Sequence, residues 1–176
     1  MTLPIENLDQ RFIWQLLAMV ATELIDQRHY RAWADDVILH DPKLPNWVIN
    51  LSMAGDANAA IDALYEHVAH KPPPEIFKSY PRDWIACQWL KYRDGIISYP
   101  VFLSIAGTYS DRYDVGVDSD DLDRRLNEYM AHPSKHMEAI GADWIETKFH
   151  DAIERMAPLY AEFKERAKAF EQSGRA

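Results

Sequence analysis

Scarcity marks this 176-residue sequence: it holds one cysteine, Cys87, and six glycines. A lone cysteine excludes an intramolecular disulfide and any cysteine-only zinc site. Cys87 stands between Ala86 and Gln88 in an aromatic stretch of helical spacing. That is the setting of a buried structural thiol rather than of a nucleophile. So few glycines leave little for a phosphate-cradling loop, and neither GxxxxGK[ST] nor GxGxxG occurs. The GxSxG elbow of serine hydrolases is missing as well. Apolar runs such as Leu16 to Ala21 fall far short of the ~20 residues a membrane span needs. The opening MTLPIENLDQRF lacks the basic region and apolar run of a signal peptide. A soluble cytoplasmic chain is the expectation. Positive charge is also in short supply, with 19 Lys and Arg against 28 Asp and Glu and a formal charge of −9. That balance disfavours nucleic acid, whose phosphates need basic surface, and anionic membranes.

What the chain does have is apolar and aromatic content. It is 48% hydrophobic and 12% aromatic, with six Trp and nine Tyr, too apolar for a disordered protein. The length fits one domain, expected over residues 1–172 with a frayed tail at 173–176.

The apolar spacing is helical nearly throughout. Asn7 or Asp9 can cap a first helix in which Phe12, Ile13, Leu16, Leu17, Val20, Leu24 and Ile25 share a face. A second runs from about His29 to Leu39, with Tyr30, Trp33, Val37 and Ile38 inward, and His40-Asp41-Pro42 ends it. Pro45-Asn46-Trp47 opens a short helix through Met53. Gly55 breaks it, and Asp56 caps the next, which carries Ala60, Ile61, Leu64, Tyr65 and Val68. Lys71-Pro72-Pro73-Pro74 reads as an extended connector, and Pro81 with Asp83 as the start of a buried helix through Tyr92. Ser98-Tyr99-Pro100 opens another, and Gly107 begins a break that lasts through Gly116. Asp118 or Ser119 caps 120–130, with Leu122, Leu126, Tyr129 and Met130 inward. His132-Pro133 interrupts, and a last helix runs from about Asp143 to Gln172, kinked by Pro158. The segment DGIISYPV at 94–101 is the best strand candidate, weakened by Pro100. The fold class expected is all-α, a single-domain bundle of about seven or eight helices with a long, Pro-kinked C-terminal helix.

Chemistry-bearing motifs are weak. His67-x-x-His70 and His132-x-x-x-His136 are the close histidine pairs, but Pro133 follows His132 and HExxH is missing. Glu146 and His150 stand four apart with no second motif to complete a di-iron site. A calcium loop begun at Asp111 places Gly116 correctly but puts Tyr113, Val115 and Leu122 where oxygen ligands belong. No cofactor, metal or catalytic set is expected.

Negative charge, by contrast, is concentrated. From Asp111 to Asp123 there are six aspartates (Asp111, Asp114, Asp118, Asp120, Asp121, Asp123) against Arg112 alone. Residues 101–143 carry nine acidic and four basic side chains, whereas 61–100 and 144–176 each balance. Capping and the helix dipole account for part of the cluster. The rest is either a solvated face or a docking surface for a basic partner; Tyr109 and Tyr113 adjoin it and one-sided charge steers association, which are the features that favour docking. The candidate partner-binding residues are Tyr109, Asp111, Tyr113, Asp114, Asp118, Asp120 and Asp121.

Over about residues 45–125 the order of elements resembles a known kind of protein. A proline-tryptophan helix ends in Leu-Ser (Pro45-Asn46-Trp47-Val48-Ile49-Asn50-Leu51-Ser52). A Trp-Leu helix follows (Trp89-Leu90-Lys91-Tyr92-Arg93), then an aromatic-acidic loop (Tyr109-Ser110-Asp111). This is similar to small acidic bacterial immunity-type proteins of polymorphic toxin and contact-dependent inhibition systems. The long C-terminal helix and Pro72-Pro73-Pro74 depart from that pattern. The resemblance implies a non-enzymatic protein that binds a co-produced, often basic nuclease toxin and fills its active site with carboxylates. The alternatives are a helical enzyme with a non-local site drawn from His29, His40 or His150, and a structural or adaptor protein that oligomerises.

Overall fold

The computed structural model describes residues 9–40, 44–68 and 73–173. They form nine α-helices and, among the described residues, no strand. The helices are α1 (Gln10–Ala21), α2 (Gln27–His40), α3 (Asn46–Met53), α4 (Ala57–Val68), α5 (Pro74–Arg93), α6 (Tyr99–Ser110), α7 (Ser119–Ala131), α8 (Lys135–Lys148) and α9 (His150–Gln172). The all-α expectation holds. Asn7, the Asp41-Pro42 stop, His70, Lys71-Pro72 and residues 174–176 lie outside the described residues. No described helix is long and apolar enough to cross a membrane.

By contact the chain divides into two compact units, residues 1–76 with 158–176, and residues 77–157. The chain passes from one to the other within α5 and again within α9.

In the first unit, α1 packs on α4, and α3 on both α2 and α4. The Asp9 carboxylate caps α1 by accepting from the Phe12 N–H at 2.9 Å, satisfying one of the four donors a helix start leaves open. The helix closes sooner than its apolar spacing implies. The Leu24 N–H reaches the Met19 carbonyl at 2.9 Å and the Glu23 N–H reaches Val20 at 3.0 Å. That is a Schellman closure, with Glu23 in the left-handed region at φ 55°. Such closures commonly carry an apolar residue just past the turn, so Leu24 and Ile25 continue the hydrophobic period while standing outside the helix. Both are still buried. Trp33 anchors the core, stacked on Trp47 at 5.9 Å and within 5.3 Å and 5.8 Å of the Phe12 and Phe163 rings. Ser52 donates to Asp35, and Arg166 pairs with Asp36 and Glu162.

The second unit carries the acidic segment. Its core is Ile85 and Trp89 of α5, Phe102 and Leu103 of α6, Val115, Leu122 of α7, Ile145 of α8 and Phe149. Helix α6 packs on α7, and α7 on α8.

Other features also differ from the sequence expectations. Helix α5 begins at Pro74, and Pro81 lies inside it. Proline is favoured at the first helical position, where its missing N–H costs nothing, and both prolines carry that signal. Gly107 does not open a loop: α6 runs on to Ser110, and Gly107 is buried inside it. A β-carbon there would lie 2.9 Å from Asp123 Oδ1 and 3.8 Å from Leu122 Cβ, so glycine marks close approach of α6 to α7 rather than a break. Two helices, α8 and α9, replace the single one expected from Asp143, because Ser134 caps α8 through the Met137 N–H at 3.2 Å and Phe149 ends it. Pro158 is accommodated within α9. Finally, Met130 is 64% exposed rather than inward, and the 94–98 segment is a turn.

Candidate partner-binding surface

The acidic segment is built by backbone closure at each end. Helix α6 ends as the Asp111 N–H bonds to the Gly107 carbonyl at 3.0 Å and the Tyr113 N–H to Tyr109 at 3.1 Å. Asp114 Oδ1 then accepts from the Gly116 N–H at 3.0 Å, a local turn typical of aspartate. Gly116 has φ 72°, a conformation glycine enters without steric cost. Val115 is the apolar plug, 1% exposed, that ties this short loop into the core. Asp118 caps α7 by accepting from the Asp120 N–H at 3.1 Å, and Asp120 and Asp121 occupy the first turn, where negative charge complements the helix dipole. Asp121 also meets Arg124 at 3.0 Å, which continues to Glu128 at 3.0 Å.

A stack of three rings flanks these carboxylates. Trp84 of α5 lies flat on Tyr109 at 4.0 Å and 3°, and Tyr113 leans on Tyr109 at 4.5 Å and 34°. The rings and Ile105, Thr108 and Arg112 line a shallow cavity of about 400 Å³. Tyr109 is half-buried within α6, and Tyr113 is 50% exposed at the outer end of the stack.

The seven sequence-selected residues therefore fall on one continuous stretch, from the last turn of α6 to the first turn of α7, but they are not equivalent. Asp114 and Asp118 are engaged in turn and cap, and Asp121 in an ion pair. Asp111 and Asp120 are exposed at the two sides of the loop, Asp111 touched by Ser119 Oγ at a long 3.5 Å. Tyr109 belongs to the helix, not to a Gly107-to-Gly116 loop as the sequence implies.

Sequence reasoning misses Arg82 altogether. Its guanidinium donates from Nη1 to the Val115 carbonyl at 2.6 Å, and from Nη2 to the Lys148 carbonyl at 2.7 Å and to Asp151 Oδ1 at 2.5 Å. It also lies 5.1 Å over the Phe149 ring. A β-carbon on Gly116 would come within 3.1 Å of Nη1, so glycine makes room for this clamp. Asp151 in turn meets Arg155 at 3.1 Å, and Arg155 meets the buried Asp83 at 2.8 Å. The hydrogen bond from Arg82 brings the Asp151 carboxyl down to about 2, against the opposing effect of burial. No local pattern could reveal Arg82, whose partners lie 33, 66 and 69 residues away.

The histidines have neighbours close in sequence. His29 Nδ1 is 2.8 Å from Asp26, His40 Nδ1 2.7 Å from the Asp36 carbonyl, and His150 Nε2 3.8 Å from Glu154. Burial opposes ionisation of Asp26, but hydrogen bonds from Arg28 and His29 outweigh it and hold the carboxyl at about 2. Glu146 pairs with Arg93 rather than with His150. Among the described residues no group of three or more His, Cys, Asp or Glu side chains is placed to hold a metal ion. Cys87 is buried.

No protein-family model matches the chain, and the searches of curated proteins and of solved structures likewise return no match.

Proposed function

We propose that this chain is a non-enzymatic binding protein of the immunity type, which neutralises a basic toxin domain by docking its acidic, aromatic surface on it. The observation that carries the proposal is that one fixed segment bears exposed Asp111 and Asp120 together with Tyr109 and Tyr113, whose rings stack on Trp84 of α5. Rigid aromatic anchors surrounded by charge are what high-affinity interfaces concentrate, and carboxylates arranged beside them can occupy a site built for phosphates. Val115 and Arg82 hold the segment in place before any partner arrives, so little ordering entropy is lost on docking. The net charge of −9 adds long-range steering toward a basic partner.

The test is growth. The protein encoded beside this chain is expressed in a bacterial host with and without it. Toxicity relieved by the wild type and not by Asp111→Lys/Asp120→Lys supports the proposal. Equal relief by the charge-reversed variant, or no relief by either, overturns it. These two aspartates are chosen because Asp118, although in the cluster, also caps α7, and its loss would confound binding with folding.

A further inference from the structure

Away from the acidic loop, the second unit holds a cavity of about 610 Å³ with an unusual lining. Three tyrosine rings form its wall. Tyr92 of α5 and Tyr99 of α6 have centroids 5.5 Å apart and planes 56° apart, and Tyr99 and Tyr129 of α7 are 5.4 Å and 73° apart. The rings are thus inclined to one another like the sides of a box rather than stacked. One carboxylate, Glu138 of α8, joins them, fixed by the Tyr92 hydroxyl, which donates to its Oε1 at 2.6 Å. Burial first, and then Glu138, keeps the Tyr92 phenol protonated well above its ordinary range, and burial pushes Tyr99 up to about 12. The Tyr92 and Tyr99 rings are therefore neutral at physiological pH.

The seating of Tyr99 is specific. Its ring is 3% exposed, and its hydroxyl has no hydrogen-bond partner among the described residues. It is packed so closely on α8 that a β-carbon on Gly141 would fall 1.8 Å from the oxygen. A buried phenol left without a partner forfeits the stabilisation a hydrogen bond would give, which phenylalanine at this place would avoid. Leaving Gly141 unsubstituted is what lets the middle wall stand.

Two guanidiniums lie near this carboxylate. Arg93 also lines the cavity but is paired with Glu146. The Arg125 guanidinium lies over the Trp144 ring at 4.0 Å. Inclined aromatic faces with a carboxylate at their edge attract cations, through the ring quadrupoles and the formal charge together. Apolar Ile96 and Ile97 complete the lining, which suits the methyl or methylene groups of an organic cation better than a hydrated metal ion. We propose that this cavity binds an alkylammonium group, with the half-buried Tyr92 and Tyr129 as the cage, the buried Tyr99 ring as the support between them, and Glu138 as its counter-charge. The proposal stands independently of the acidic loop, and its test uses no toxin.

The full chain is titrated with choline and with its neutral isostere 3,3-dimethyl-1-butanol, following the tyrosine ring protons by NMR. Saturable shifts of Tyr92, Tyr99 and Tyr129 with choline, and binding at least about tenfold weaker for the neutral isostere, are expected. Glu138→Gln and Tyr129→Ala should each weaken choline by about tenfold. Far-UV circular dichroism and a melting temperature unchanged from the wild type in both variants separate loss of binding from loss of folding. A peptide with a single lysine forms a second arm. Tighter binding than choline assigns the cage to a protein side chain, and weaker binding assigns it to a free amine. The proposal is overturned if choline gives no saturable shift, if the neutral isostere binds equally, or if binding survives both Glu138→Gln and Tyr129→Ala.

Discussion

At the scale of single residues, the sequence displays charge but hides its engagement. Six aspartates between Asp111 and Asp123 are plain in the sequence. That Asp114 closes a turn and Asp118 caps a helix depends on where α6 stops, and Gly107 gives a misleading signal there. Arg82 is illegible for a different reason: its meaning lies wholly in long-range contacts. Arg82→Ala should destabilise the protein by about 1–3 kcal/mol in urea unfolding, because it removes a donor from the Val115 carbonyl and leaves Asp151 with Arg155 alone. An unchanged urea midpoint would show that the clamp contributes nothing. The same pair sets an acid response. The Asp151 carboxyl, at about 2 in the folded chain against an ordinary 3.8, contributes stability that is complete above the ordinary value and is lost as pH falls from there toward about 2. Asp151 is about half exposed, so water screens the pair and the effect is modest. Asp151→Asn should lower stability at neutral pH and flatten the acid limb of the stability curve in that window. An acid limb as steep as that of the wild type would assign the titration to other carboxylates.

At the scale of helices, eight of the nine follow from apolar spacing and caps, and errors gather where one residue type signals two things. Proline marks a helix start at Pro74 and is tolerated inside α5 at Pro81. Glycine breaks the chain after α3 but permits packing at Gly107. Helix α8 is the one missed, because its half-buried, mixed-polarity face yields a weak period. Two substitutions exploit these sites. Glu23 holds a left-handed conformation in the closure of α1, which costs an L-residue about 1 kcal/mol that glycine does not incur. Glu23→Gly should therefore raise the melting temperature, and a fall would mean the Glu23 side chain contributes more than the backbone strain removes. Gly107→Ala restores about 1 kcal/mol of helix propensity. The nearest obstacle is the Asp123 carboxylate, exposed and able to swing aside. A neutral to stabilising outcome is expected in thermal unfolding, whereas a loss above about 2 kcal/mol would show that α6 and α7 cannot adjust.

At the scale of the whole chain, charge and aromatic surface are distributed unevenly. Residues 61–100 and 144–176 are neutral in sum, and the negative excess lies in residues 1–60 and 101–143. The second of these regions also carries the Tyr109–Tyr113 end of the ring stack, and the sequence anticipated that coincidence. It could not anticipate that Trp84, from a helix 25 residues earlier, completes the stack. Electrostatic docking of this kind has two signatures, dependence on salt and dependence on particular carboxylates. The measurement closest to the proposal is the affinity of the neighbouring-frame toxin domain for the wild type and for Asp111→Lys/Asp120→Lys, by calorimetry at low and high salt. Tight binding by the wild type, weakened about a hundredfold by the double reversal and clearly weakened by salt, is the expected result. Equal affinity for the two proteins at low salt would contradict it.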